Sequence, residues 1–404
     1  MWSVIRQRQG LDPNEAPVLP DTPQSTHQRC ILLHAVRPFV PYISSTIFSK
    51  AYGDFLYVKI RRWLLDERVD VRLQAVEHLI ELYKEKREHC VQSLAYDLLP
   101  ILLSTLVSDE SPALRERAGM ALEMLVRESL TQRLLLGGSA KEDVSLYTSS
   151  MKRTAPSPHL AAILASLRDE CNEVVVMGLR VVLACHMWHN SFAVTAALVQ
   201  GGLVIALIDL IQSTNRSTQI FACSAMRQVF QVKEAHVELL KNHGVEILTK
   251  AIVNTDTIAL VAEAAEVISL ICEYAQARRD AVACNTLACL FPHLHNSNLT
   301  LRVAVYSAAA QITVLEAAKM QATEVNYPEE LVREIANEDE RDVLMHMLRL
   351  VYNVAEWPAA RLTLRTCLPR VVELQQIVQD DDSVIFALSQ AEKILKKKVS
   401  QEKQ

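Results

Sequence analysis

Hydrophobic positions along the chain recur with the spacing of one buried helix face. Segments 64–86 (LLDERVDVRLQAVEHLIELYKEK) and 106–128 (LVSDESPALRERAGMALEMLVRE) each carry an acidic pair, then an arginine, then three apolar residues separated by four and three positions. That spacing places the three apolar residues on the same side of an α-helix. The chain therefore contains the same amphipathic helix at least twice.

A template of this helix, with buried positions three, seven and ten residues after a start residue, fits the chain eight times. The starts are Arg72, Arg115, Val175, Gln219, Val261, Arg302, Arg341 and Val384, with intervals of 43, 60, 44, 42, 41, 39 and 43 residues. The triplets are Ala75/Leu79/Leu82, Ala118/Leu122/Leu125, Gly178/Val182/Cys185, Ala222/Met226/Val229, Ala264/Ile268/Ile271, Val305/Ala309/Ile312, Leu344/Leu348/Val351 and Ala387/Ala391/Ile394. Every member except Gly178 is hydrophobic, so these positions are predicted to be core.

A period of about 42 residues is typical of solenoids built from HEAT or armadillo repeats. Segments 198–215 and 239–256 each show a short helix end, a glycine and then an apolar helix. Glycine permits a sharp turn with positive φ between a short first helix and a second one. These segments resemble armadillo repeats, whereas the first two repeats are equally compatible with HEAT. We predict an all-α, armadillo/HEAT-like superhelical solenoid of about eight repeats.

The repeats occupy only part of the chain. We predict a proline-containing arm over residues 1–50, the repeat array over 51–398 and a charged tail over 399–404. The single long interval is explained by an inserted loop over 131–159, which is rich in Gly, Ser, Thr and Lys. The apolar end of the arm, 31–43, has two open interpretations: a cap on the first repeat, or an anchor on a partner.

Composition narrows the function classes. Half of the residues are hydrophobic, 22% are charged, and there are only 9 glycines, which argues for a folded helical protein rather than a sheet protein. The net charge of −5 gives no reason to expect nucleic acid or an anionic membrane as partner. No uninterrupted apolar stretch approaches a membrane span. The 9 cysteines lie in apolar helical contexts and are expected to be reduced core thiols of an intracellular protein.

Catalytic motifs with Gly-rich phosphate loops, zinc-binding His pairs or serine nucleophile turns do not occur in the sequence. The nearest constellation is Cys185, His186 and His189, with Cys171 upstream. His186 and His189 are three residues apart and could offer two nitrogens to one metal. Because Cys185 belongs to a buried triplet, we instead expect a core thiol beside two surface histidines. No enzyme activity, cofactor, metal or small-molecule substrate is predicted.

The concave face of an armadillo stack is formed by the third helices of its repeats. In nuclear-import adaptors of this fold, a Trp and an Asn one turn apart on each third helix hold a basic peptide. The corresponding positions, five and nine residues after each template start, contain no Trp–Asn pair, which disfavours import cargo. Mixed polar residues there indicate either a surface specific to particular proteins or plain solvated helix faces. The predicted protein-binding residues are Glu77, Glu81, Arg180, Gln228, Glu266, Gln311 and His346.

A more specific resemblance covers segment 49–90. A proline-containing arm leads into Ala51-Tyr52-Gly53, then a Leu/Lys helix, then a first repeat with the series Leu64, Asp66, Arg72, Ala75, Leu79 and Leu82. This order, and the closing ALSQAEKIL, is similar to the radial spoke head protein 14 family of motile cilia. The resemblance extends over the repeat array, about 50–398, mostly as general armadillo pattern. The long arm and the insertion at 131–159 depart from the family.

The resemblance implies a non-enzymatic structural part of the ciliary or flagellar axoneme, within the cytoplasm and cytoskeleton. Its implied partners are other axonemal and radial spoke proteins, with the microtubule doublet as a further candidate. The alternative hypothesis is a soluble armadillo cargo or assembly adaptor that binds one peptide in its concave groove. A metal-dependent enzyme built around Cys185, His186 and His189 is the third and weakest hypothesis.

Overall fold

Helices joined by short turns make up the regular structure of the residues that the computed structural model describes, 55–137, 157–186, 191–378 and 380–397. No strand occurs in these ranges, which confirms the predicted all-α class. The arm over 1–50 and the tail over 399–404 lie outside the described residues, so both stay predictions.

The helices follow one another in groups of three from the second repeat onward. In chain order they are α1 (Phe55–Leu64), α2 (Val69–Glu85), α3 (Glu88–Leu94), α4 (Leu98–Ser108), α5 (Pro112–Leu125), α6 (Ser129–Leu135), α7 (Pro158–Ser166), α8 (Asn172–Cys185), α9 (Ser191–Gln200), α10 (Leu203–Ile211), α11 (Arg216–Val229), α12 (Lys233–Lys241), α13 (Gly244–Val253), α14 (Ile258–Ile271), α15 (Ala275–Ala283), α16 (Thr286–Leu290), α17 (Leu299–Ile312), α18 (Glu316–Glu324), α19 (Tyr327–Ile335), α20 (Arg341–Ala355), α21 (Pro358–Leu364), α22 (Leu368–Ile377) and α23 (Asp382–Lys396). Short 3₁₀ turns extend α16 and α21, at Phe291–His293 and Arg365–Cys367.

The third helices of the repeats form the spine of the stack. They are α2, α5, α8, α11, α14, α17, α20 and α23, and each one packs against the third helix before and after it. All members of the eight apolar triplets are buried, including Gly178. A helix turns once in 3.6 residues, so the spacing in the sequence was enough to identify the buried side of each third helix.

The turn between the first and second helix of a repeat is sharp. Helices α3 and α4 meet at 88°, and α9 and α10 at 76°. The residue before the second helix has left-handed backbone geometry in five repeats: Asp97, Gly202, His243, Asn285 and Asn326. Gly, Asn, Asp and His are the residue types that adopt this geometry most readily. The second repeat therefore has the three-helix armadillo form, although its sequence was equally compatible with HEAT.

Membrane-spanning character is not found in any single described helix. The two bent pairs, α3 with α4 and α9 with α10, reach the necessary length and apolar character only when each pair is counted together.

Gly244 has a different role from the one expected of it. The sequence assigned the positive φ of this turn to the glycine, but the left-handed residue is His243, with φ 55°. Gly244 is the first residue of α13, and a Cβ there would lie within 2.3 Å of Cγ of Leu239. The glycine is required by the close approach of the preceding helix, and not by its own backbone angle. At Gly202, with φ 93°, the original expectation is confirmed.

The inserted loop is shorter than its predicted bounds of 131–159. Residues up to Leu135 belong to α6, where Thr131, Gln132 and Leu135 are fully buried. The Gln132 amide donates a hydrogen bond to the carbonyl oxygen of Cys185, at 3.1 Å. Helix α7 begins at Pro158, with the Ser157 hydroxyl as its N-cap. The part of the insertion between these helices, 138–156, lies outside the described residues.

Arginines on the third helices also tie neighbouring repeats together at their turns. Three of them contact an acid in the turn before the next third helix: Arg72 with Asp109 (2.9 Å), Arg115 with Asp169 (2.8 Å), and Arg302 with Glu338. The acids also accept backbone N–H groups of their own turns. These pairs are largely buried, so removing one partner would leave an uncompensated charge.

Candidate protein-binding surface

The solvent-facing side of the third helices, here called the third-helix face, contains most of the predicted binding residues. Glu77 and Glu81 are exposed on α2. Glu77 lies 3.9 Å from the guanidinium of Arg117 on α5, a long ion pair. Glu81 lies 3.7 Å from the imidazole of buried His78 on its own helix. This first part of the face is acidic and accessible.

Further along the face, polar residues at the same two helical positions join consecutive third helices at three junctions. The twelfth residue of one third helix contacts the ninth residue of the next; we call each such contact a rung. The rungs are Glu123–Arg180 between α5 and α8 (2.9 Å), Arg227–Glu266 between α11 and α14 (2.9 Å), and Ser269–Ser307 between α14 and α17 (2.7 Å). In the first rung the acid lies on the earlier helix, in the second the arginine does, and the third is a hydrogen bond between two serines. The rungs join helices whose apolar triplets are also buried between the layers.

The rungs change the interpretation of two predicted binding residues. Arg180 and Glu266 are both half-buried and are held by partners within the chain. Glu123 also accepts from Arg127, at 2.8 Å. Burial raises the pKa of Glu263, which lies 3.6 Å from Arg227 at the neighbouring rung. Arg180 and Glu266 are therefore paired within the chain. Gln228, on α11, is half-buried.

A cleft of about 690 Å³ lies on this face between α17, α20 and α23 and is here called the C-terminal cleft. One set of lining side chains is apolar or aromatic: Val314, Met345, Tyr352 and Phe386. Phe386 is 66% exposed and Val314 is 45% exposed. The polar lining consists of Gln311, Arg349, Asn353, Asp382, Ser383 and Gln390. Of the predicted binding residues, Gln311 is the one that lines this cleft.

His346 is the sixth residue of α20, about one turn before the helical position shared by Glu77, Arg180 and Glu266, and its role in binding stays a prediction. Six other third helices begin three residues before their template start, as α2 does at Val69, and α23 begins two residues before its own, but α20 begins at its template start, Arg341. Arg349 and Asn353 therefore occupy the positions assigned to His346 and its partner Leu350. Leu350 is fully buried. Asn353 donates its amide to the carbonyl oxygen of Ala310, at 2.7 Å.

Cys171 lies far from Cys185 and His186, the other described members of the metal-like constellation. Cys171 caps the start of α8 and Cys185 ends it, about 20 Å away along the helix axis. Burial raises the pKa of Cys185 to about 12. His186 was expected at the surface but is buried, and its Nδ1–H donates to the carbonyl oxygen of Val182 at 2.7 Å. His189 lies outside the described residues, within which no group of three metal-binding side chains is found.

Comparison with known proteins identifies the fold. No family model matches the chain, and no curated protein matches it. An engineered protein of known structure aligns with a TM-score of 0.60 at 18% identity, over 84% of this chain and 89% of that chain. A designed armadillo repeat protein aligns with a TM-score of 0.52 at 15% identity, over 58% of this chain and 99% of that chain. At these identities the likeness concerns the fold alone.

The described residues thus form an armadillo-like solenoid. The contact between successive third helices, the three-helix repeats and the similarity to a designed armadillo protein agree on this class. Solenoids of this class present extended concave surfaces.

Proposed function

We propose that this chain is a structural scaffold of the ciliary or flagellar axoneme, associated with the radial spoke. The observation that supports a scaffold is the unbroken series of third helices, in which each one packs on the next. The axonemal location is supported by the resemblance of segment 49–90 to the radial spoke head protein 14 family. In this proposal the chain is not an enzyme and needs no cofactor.

A scaffold must keep its partners at fixed separations, and the stack has features that favour stiffness. Rungs and arginine–acid contacts join neighbouring repeats in addition to the buried apolar triplets. With about 10 Å between helix layers, eight layers extend over roughly 80 Å. A rod of that length has room for several interfaces of about 800 Å² per partner. We propose radial spoke proteins as the partners, and the microtubule doublet as a further one.

The C-terminal cleft favours the alternative of a soluble adaptor that takes one peptide. The two functions differ in how firmly the protein is held. A tagged full chain would be expressed in ciliated cells, whose membranes are then removed with detergent. A scaffold remains with the extracted axoneme, whereas an adaptor passes into the soluble fraction with a co-expressed inert reporter. A tag spread through the cell body and absent from cilia would contradict the axonemal proposal.

The proline-containing arm lies outside the described residues, and its anchoring role is a separate proposal. A chain lacking residues 1–30 should keep the melting temperature of the full chain, because the eight buried triplets all lie between Ala75 and Ile394. It should nevertheless be released from extracted axonemes. If the shortened chain stays bound as firmly as the full chain, the arm is not the anchor and the solenoid carries the attachment.

A further inference from the structure

Arg349 is at the helical position of a rung but has no rung partner. It is the ninth residue of α20, as Arg180 is the ninth residue of α8. Arg180 has a carboxylate partner at the twelfth residue of the preceding third helix, Glu123. The twelfth residue of α17 is Ala310, which has no charge to offer. Among the described residues, no hydrogen bond or ion pair is formed by the Arg349 side chain, which is exposed.

The position where Arg349 would find a carboxylate partner, Ala310, lies at the wall of the C-terminal cleft. Ala310 and Arg349 both line it, so the volume that a glutamate side chain would occupy is open to solvent. A guanidinium presents a planar fork of donors that matches a carboxylate in two-point geometry. The cleft is therefore complementary in charge and shape to one carboxylate from outside the chain.

The other residues that line the cleft indicate further properties of a ligand that would fit it. Phe386 and Val314 are large apolar side chains left in water, and covering them would be favourable. Gln311 and Gln390 make no side-chain hydrogen bond to a described residue on the cleft side, so their amides can pair with a peptide backbone. Exposed Asp382, on α23, would repel a second carboxylate placed beside that helix.

We propose that the C-terminal cleft binds an extended segment of another protein in which an Asp or Glu lies next to a large apolar residue. The carboxylate pairs with Arg349 and takes the place that Glu123 has at the equivalent rung. The apolar side chain covers Phe386 and Val314. This proposal rests on the proposed function as a protein-binding scaffold and names the chemistry of one of its partners.

The first test is selection of ligands from a random library of twelve-residue peptides displayed on phage, with the full chain immobilised. Peptides that carry an acid beside Leu, Ile, Phe or Trp should be enriched. A selected peptide and its counterpart with Asn or Gln in place of the acid are then labelled, and binding is measured by fluorescence anisotropy. The amide counterpart should bind at least about tenfold more weakly, as expected for loss of a charge-assisted hydrogen bond. Enrichment of basic peptides, or no enrichment, would overturn the proposal.

Matched variants locate the site. Arg349→Gln should weaken binding about tenfold, whereas Arg279→Gln, the same change at an exposed arginine of α15, should leave binding unchanged. Ala310→Glu should block binding by giving Arg349 an internal partner, and the solenoid should keep its circular dichroism spectrum. Equal loss in Arg349→Gln and Arg279→Gln would refute a specific role of the cleft.

Other occupants give distinct results. If light scattering shows a dimer that Arg349→Gln converts to a monomer, the ligand is a second copy. If the full chain binds no peptide but a chain lacking residues 1–50 does, the arm fills the cleft; either result overturns the proposal. If the Arg349→Gln variant stays with extracted axonemes but no longer binds the peptide, both the scaffold function and the ligand proposed for the cleft are supported. If the unmodified chain stays with extracted axonemes but binds no peptide, the proposed ligand of the cleft is refuted and the scaffold function is not.

Discussion

Replacing Gly178 with alanine tests the closest approach between two helices of the third repeat. Gly178 is the one triplet member without a side chain, and it faces the end of α7. A Cβ at this position would lie 2.5 Å from Ser166 Oγ and 3.1 Å from Leu167 Cδ2. Ordinary contact starts at 3.4 Å, so the first distance is short by about 0.9 Å. Ser166 cannot turn away without loss, because its hydroxyl donates to the carbonyl oxygen of Ile163 at 2.7 Å.

Two effects of opposite sign decide the result. Overpacking of a buried site costs about 1 to 3 kcal/mol, whereas replacing glycine with alanine inside a helix gains about 1 kcal/mol. We expect Gly178→Ala to lower the free energy of unfolding by about 1 kcal/mol. Ser166→Ala removes the clashing oxygen, so the double variant should be more stable than the sum of the single changes by at least about 1 kcal/mol.

Urea denaturation followed by circular dichroism measures the four proteins of this cycle, and hydrogen exchange within α7 and α8 checks that the change is local. Overpacking predicts faster exchange in these two helices for Gly178→Ala and recovery in the double variant. If Gly178→Ala is more stable than the parent chain, or if the two changes are additive, the helices are not in the tight contact described.

Three further predictions concern the core, the insertion and a buried histidine. Ala264→Arg places an unpaired charge in a fully buried site of α14 and should cost several kcal/mol, whereas Ala259→Arg, at an exposed site of the same helix, should leave the melting temperature nearly unchanged. Deletion within 138–156 should shift the melting temperature little, but a deletion that starts at 131 should unfold the third repeat because it removes buried Gln132 and Leu135. Burial lowers the pKa of His186, so the unfolded chain binds a proton there more readily than the folded chain, and stability is lost as the pH falls through the ordinary imidazole range of about 6.5. The melting temperature should fall more between about pH 7.5 and pH 5.5 in the parent chain than in His186→Gln; equal falls would show that His186 contributes nothing.

Local signals in the sequence determined the helix class, the number of third helices and their buried faces. These features depend on a period of 3.6 residues within about 14 consecutive positions, so they can be recognised without knowledge of the neighbours. The acid-to-arginine order of segments 64–86 and 106–128 also proved meaningful, because Arg72 and Arg115 each contact an acid of the next repeat.

The register of α20 could only be decided by the tertiary structure. Buried residues surround most of this helix, including Leu344, Met347, Leu348, Val351 and Val354. Two registers one turn apart therefore satisfy the apolar template equally well, and the sequence offered no reason to prefer Arg349 over His346 as a surface residue. Packing against α17 and α23 removes the ambiguity, since Leu350 is enclosed and Arg349 is left in the cleft.

The rungs show why the candidate site was beyond the reach of the sequence. Glu123 and Arg180 are far apart in the chain, on helices separated by an insertion, and only the stacking of α5 on α8 brings them within 2.9 Å. The same stacking shows that Ala310 occupies the position of Glu123, the residue that pairs with Arg180 at the junction of α5 and α8. Periodicity identifies which side of each helix is buried, whereas contacts between helices decide which polar groups are satisfied within the chain and which remain for a partner.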